Sequence, residues 1–222
     1  MFSKINSARF FAACFILSFL TYGIGSLMVE SMQLVQLNLN DKEMIRTKYI
    51  LGIVLISVFH TIFNLCLLLT MNSVIRQLSP FLSKVYLYFG CVATVLLAIG
   101  GLCLLWPILK FGSELELNEF LSEMNHGHQM NFRLYQIGMC LWGFAGIALC
   151  WTFIQFKFFP LWFCCLGIVV YTVFIIGTIL ELNHVKVGVY FSIPGGLFEL
   201  TLSVWLIIRG CIIKSPTASS FS

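Results

Sequence analysis

The stretch "SIPGGLFELTLSVWLIIRG", Ser192 to Gly210, decides the fold. It belongs to a run from Val187 to Ile208 in which Glu199 is the only charged side chain. Roughly 20 apolar residues at about 1.5 Å rise cross a hydrocarbon core of about 30 Å, so the run reads as a membrane-spanning helix. A carboxyl group in the middle of such a helix is costly unless something meets it. Whether Glu199 serves chemistry or architecture is therefore the question that the rest of the chain must answer.

Working outward, uncharged runs recur at Phe10–Val29, Tyr49–Ile75, Val85–Leu109, Leu134–Phe156 and Phe158–Leu180. Together with the closing run they predict an all-α integral membrane bundle of six transmembrane helices. The composition agrees: of 222 residues, 59% are hydrophobic and only 10% charged, with a mean hydropathy of +0.96, against about 25% charged residues in soluble domains. Leu, Ile and Phe come in unbroken runs instead of alternating, so a β-barrel fits poorly. The first run is longer than a signal-peptide core, and "SLMVESMQ" after it offers no small-residue cleavage pattern, so it is expected to be retained. Residues 1–213 are read as one transmembrane domain and 214–222, "KSPTASSFS", as a short polar tail.

Charge placement sets an expected orientation. With the N-terminus inside, Lys4, Arg9, Arg76, Lys84, Lys157, Arg209 and Lys214 face the cytoplasm, while Lys42, Arg46, Lys48, Lys110, Arg133 and Lys186 lie opposite. The balance is narrow, but two basic residues precede the first span and none follows it until Lys42. Both termini are thus expected in the cytoplasm. All nine cysteines lie in or at the ends of spans, which argues against an extracytoplasmic disulfide framework.

Short connections around Arg76–Lys84 and Lys157–Pro160 predict antiparallel hairpins of spans two with three and four with five. In the longer loop "SELELNEFLSEM", Ser113 and Glu116 have capping-box spacing, and Leu117, Phe120, Leu121 and Met124 share one face. This predicts a short amphipathic helix between spans three and four, acting as a lid over apolar helix ends. Gly23 with Gly25, Gly100 with Gly101, and Gly143 with Gly146 are expected where helices approach closely.

The few polar residues inside spans mark the candidate site. In "VFHTIFNL", His60 and Asn64 stand one turn apart on one helix face. Ten residues, or about 15 Å, separate Glu199 from Arg209, which puts it near mid-membrane; counted from a helix start at Pro194 it lies nearer the interface. Pro194, Gly195 and Gly196 predict a helix break or kink, with the two glycines leaving room for another backbone or a ligand. Glu199 is expected to face the bundle interior and to bond Asn64 or backbone freed at Pro194. The two histidines of "HGH", His126 and His128, fall on different helix faces and read as a solvated loop, not a metal site. Glu181, Asn183 and His184 read as an interface marker. No nucleophile elbow, phosphate loop, dinucleotide fingerprint or zinc signature occurs, so no cofactor is predicted. The net charge of +4 follows from membrane topology and gives no warrant for nucleic-acid binding.

Three segments carry a resemblance. "PGGLFELTLSVWLIIRG" is similar to the closing stretch of a bacterial membrane family known only as domain of unknown function 4386, with Glu199, Trp205, Leu206, Arg209 and Gly210 at family positions. "QFKFFPLWFCCLGIVVYTVFIIG", with Pro160, Gly167 and Tyr171, resembles its basic-Pro connection, and "NLCLLLTMNSVIRQLSPFLSKV" resembles its second hairpin. Tyr135 stands where the family often has a histidine, and His60 where an acid is expected. The resemblance implies a multi-pass helical bundle in a bacterial inner membrane and carries no assigned activity.

The leading expectation is a non-enzymatic protein, embedded in the lipid bilayer, that binds a small or lipidic ligand or assists a membrane process around Glu199, Asn64 and His60. A competing expectation is an intramembrane enzyme using Glu199 and His60 as an acid/base pair, which needs spans two and six side by side. A small transporter is a third, although no internal repeat relates the two halves.

Overall fold

A computed structural model describes residues 4–34, 42–111, 117–187 and 189–209. Among them there is no strand. Span one is α1 (Lys4–Leu34). Span two comes in three continuous pieces: α2 (Lys42–Val54), a π-helical turn at Leu55–Phe59, and α3 (His60–Leu78). The third span is α4 (Pro80–Cys103), followed by a short α5 (Trp106–Phe111). Helices α6 (Leu117–Gln155), α7 (Leu161–Leu182) and α8 (Val189–Arg209) carry spans four to six. Six helical stretches are long and apolar enough to cross a membrane, and side chains such as Leu69, Phe81 and Trp162 stay exposed around the outside as a lipid-facing surface does. The protein is a multi-pass membrane protein.

Local chemistry explains where the spans turn. Ser79, in extended backbone, caps α4 by accepting from the Leu82 N–H, and Pro80 fills the first helical position where no donor is needed. Helices α6 and α7 both end in a Schellman motif. In the first, Phe158 N–H bonds the Phe153 carbonyl and Lys157 takes φ of 53°. In the second, Val185 N–H bonds the Leu180 carbonyl and His184 takes φ of 64°.

The spans close into a ring in chain order. Helix α1 packs on α3, α3 on α4, α4 on α6, α6 on α7, α7 on α8, and α8 back on α1. At the end that holds the described N- and C-terminal helix ends and the two short connections, Arg9 Nε donates to the Ile207 carbonyl at 3.1 Å, tying α1 to the last turn of α8. At the opposite, long-loop end, a second apolar cluster of Val29, Tyr49, Ile53, Ile56, Leu104 and Met124 joins α1, α2, the π-turn and the start of α6. Tyr49 Oη donates to the Leu104 carbonyl there at 2.9 Å.

Several expectations are corrected by this architecture. The segment from Leu117 to Met124 is not a free-standing lid: it forms the first turns of α6, whose 39 residues span about 58 Å, far more than a bilayer core. Met124 is buried against α2 and α5, which packs the extension onto the bundle. Ser113 and Glu116, and with them the capping box, lie outside the described residues, as does the tail after Arg209. His126 and His128 sit on α6 and not on a loop, because Gly127 lets the helix lie against the backbone end of α4: a Cβ there would come 2.9 Å from the Cys103 carbonyl oxygen. The break expected at Pro194, Gly195 and Gly196 does not interrupt α8, which is helical from Val189. Pro194 is the sixth residue of that helix, so it removes only the bond to the Tyr190 carbonyl near the start, where few bonds exist to lose.

Candidate functional site

With its true start at Val189, α8 has ten residues on either side of Glu199, so the carboxyl group is central in the span. It is buried and faces the interior of the ring, as expected of a carboxyl group in hydrocarbon. Its partners are not those expected. Tyr171 Oη on α7 donates to Glu199 Oε1 at 2.9 Å, and Trp142 Nε1 on α6 donates to the same oxygen at 3.3 Å. Asn64 makes no bond to it, because α1 stands between α3 and α8 in the ring. Instead Asn64 Oδ1 accepts from Ser18 Oγ of α1 at 2.7 Å, and its amide lies 3.0 Å from His60 Nε2. The expected trio thus divides into two polar groups: Glu199 with Tyr171 and Trp142, and His60 with Asn64 and Ser18.

The sequence provides for the first group in a way that motif reading missed. Tyr171 reaches Glu199 only because Gly146 of α6 leaves space for its ring; a Cβ at that glycine would lie 2.4 Å from it. Gly195 and Gly196 do not open space beside Glu199, since the rings of Phe174 and Phe19 lie there at ordinary contact distance. Trp142 also meets Phe15 of α1 edge-on, at a centroid separation of 6.4 Å. That contact crosses the ring interior and fills its middle with aromatic side chains.

One layer toward the long-loop end, Tyr22 of α1 stacks on Tyr135 of α6 at 5.1 Å and touches His60 at the same distance. His60 and Tyr135 therefore converge on one tyrosine. Above this stack the interior opens into a cavity of about 820 Å³ bounded by α1, the π-turn, α6, α7 and α8. Ser26, Glu30, Asn131, Gln136, Thr178 and Glu181 give it a polar lining. Gly23 borders it on α1, and a Cβ there would meet nothing within 4 Å, so the expected close helix contact at this glycine is replaced by open space. Gly25 does make the expected contact, lying against Gly52 and Ile56 of span two.

His128 lies between this cavity and the adjoining groove that holds Arg133, with its Nε2 buried and without a hydrogen-bond partner among the described residues. Glu181, read from the sequence as an interface marker, also lines it. His126 lies on another side, beside Trp106, Lys110 and Glu123. There Glu123 accepts from Lys110 Nζ at 2.5 Å and from Trp106 Nε1 at 2.8 Å, which fastens α5 to α6. The eight cysteines among the described residues are free thiols.

Neither a curated protein nor a solved structure matches the chain. A family model described as a domain of unknown function, DUF4386, matches residues 9–210. That match takes in all six spans and nearly the whole described chain, so the protein belongs to the DUF4386 family of multi-pass membrane proteins.

Proposed function

We propose that this protein is a non-enzymatic ligand-binding protein of the bacterial inner membrane, with both termini in the cytoplasm and the cavity at the long-loop end open to the other side. The cavity carries this reading. At about 820 Å³ it falls within the roughly 300–1,000 Å³ of small-molecule sites, and its polar lining lies inside a ring otherwise packed with apolar side chains. A membrane bundle with no use for the space gains packing by closing it. The two buried polar groups below serve the floor: Tyr171, Trp142 and Glu199 join α6, α7 and α8, while Ser18, Asn64 and His60 join α1 to span two. The acid/base pair of the enzyme reading finds no support, because Glu199 and His60 are each engaged by different partners.

The test is to purify the protein in mild detergent and identify retained small molecules by mass spectrometry, in parallel with Gly23→Trp. The open space at Gly23 accepts a large side chain without displacing a neighbouring helix. A compound retained by the wild type and lost from a folded Gly23→Trp protein supports the reading. Equal retention by both proteins contradicts it.

A further inference from the structure

The end of the bundle that holds the short connections carries positive charge without acids. No Asp or Glu precedes Arg9, falls within Arg76–Lys84 or Gln155–Pro160, or follows Arg209. The ion pair of Lys110 with Glu123 lies at the opposite end. Two of the cations stand at the last turn of α8. Arg209 Cζ lies over the Trp205 ring, 5.1 Å from its centroid, and Arg9 is held to the Ile207 carbonyl through Nε at 3.1 Å. Lys157 belongs to the neighbouring connection, whose Phe159 packs edge-on against Trp205 at 5.9 Å. Arg209 and Trp205 also stand at one end of a groove of about 500 Å³ on the outside of α8, whose walls include Leu197, Leu200, Val204 and Ile208. All four of these apolar side chains are exposed. From Leu197 to Arg209 the helix rises about 18 Å, close to half of a hydrocarbon core of about 30 Å, which is the depth that one acyl chain fills.

We infer that this groove is a binding site for an anionic phospholipid, with an acyl chain against Leu200, Val204 and Ile208 and the phosphate on Arg209. The site is separate from the cavity and does not rest on the ligand-binding reading above. An arginine presents forked N–H donors that match phosphate oxygens, and the Trp205 ring beneath it holds the guanidinium in place. Arg9 and Lys157 add to the positive field. The C-terminal end of a helix repels an anion, so the attraction at this end of α8 has to come from these side chains. A zwitterionic headgroup brings an ammonium group as well as a phosphate, and that group meets only further cations here. A free phosphate ester would use the charge and leave the apolar walls empty, whereas an anionic lipid uses both.

The test titrates the delipidated, detergent-purified full chain with phosphatidylglycerol or phosphatidylcholine of identical oleoyl chains and counts bound lipids by native mass spectrometry. Phosphatidylglycerol is expected to bind roughly tenfold more tightly. Arg209→Gln should bring the two lipids together. Arg76→Gln removes the same charge at the same end of the bundle, but on α3, which α1 separates from α8, and should leave the preference intact. Val204→Trp fills the groove at an exposed position and should weaken both lipids. Equal binding of the two lipids by the wild type overturns the inference. Equal loss of preference in Arg76→Gln and Arg209→Gln also overturns it, because the attraction would then be the diffuse charge of that end of the bundle. Unchanged binding in Val204→Trp places the lipid elsewhere. Displacement of phosphatidylglycerol by glycerol 1-phosphate at a comparable concentration makes the occupant a free phosphate ester and overturns the lipid assignment. The comparison of wild type with Gly23→Trp is untouched by any of these outcomes, so the cavity and the groove stand or fall separately.

Discussion

Glu199 shows how one expensive residue is made affordable inside a membrane helix. Its Oε1 accepts from Tyr171 and Trp142, two donors that would themselves be stranded in an apolar interior without it. The carboxyl group is thus the acceptor that joins three spans. Replacing it with Gln keeps a carbonyl oxygen in the same place, so Glu199→Gln should leave the detergent-solubilised melting temperature nearly unchanged. Glu199→Leu strands both donors at about 1–3 kcal/mol each, and should lower thermal stability clearly. Tyr171→Phe removes one of the two bonds and should fall between them. Melting curves of the three variants check this ordering; equal stability of the Gln and Leu variants would contradict it. The burial of Glu199 was legible in the sequence because hydrocarbon leaves a carboxyl group few options. Its partners were not, because Asn64 and Tyr171 stand at comparable depth in spans two and five, and depth along a helix does not reveal which helix is the neighbour.

At the scale of elements, the spans were visible as uncharged runs, and their ends were less so. Helix α7 stops where His184 takes a left-handed conformation, and α6 stops likewise at Lys157. These are positions that glycine usually fills, and neither residue announces the turn in the sequence. A side chain in that conformation costs about 1–2 kcal/mol. His184→Gly and Lys157→Gly should therefore each raise the melting temperature, by an amount equivalent to up to about 1 kcal/mol once the greater freedom of glycine in the unfolded chain is counted. A drop on either substitution would mean that the side chain holds the turn by a contact of its own. The Pro-Gly-Gly cluster misled in the opposite direction: it reads as a break, yet Pro194 sits near enough to the start of α8 that the helix continues through it. The π-turn at Leu55–Phe59 left no mark in the sequence. It inserts an extra residue into span two directly before His60, at the level where Ile56 borders the cavity.

For the whole molecule, six spans and two hairpins followed from charge spacing and loop length, while the ring closed by α8 on α1 did not. That closure brings together residues nearly 200 positions apart, such as Arg9 and Ile207, and no local pattern encodes it. The cavity is a consequence of the ring: α1 and α6 face each other across its interior, the Tyr22–Tyr135 stack bridges them, and above the stack none of the described side chains fills the gap. Because the gap is made by residues from five segments, no motif could announce it. Ligand binding in this space requires it to be wet and reachable from the long-loop side. Cysteine labelling measures that directly, with a membrane-impermeant maleimide applied from each side of sealed vesicles, comparing Gly23→Cys and Leu20→Cys over the wild-type background. Gly23 borders the cavity, whereas Leu20, three residues earlier on the same helix, is exposed on the bundle's outer surface, among lipid. Thiols react with maleimides as thiolates, so labelling requires water. Rapid labelling is expected at position 23 from the long-loop side and none at position 20. An unreactive cysteine at position 23, or equal labelling at both positions, would contradict it.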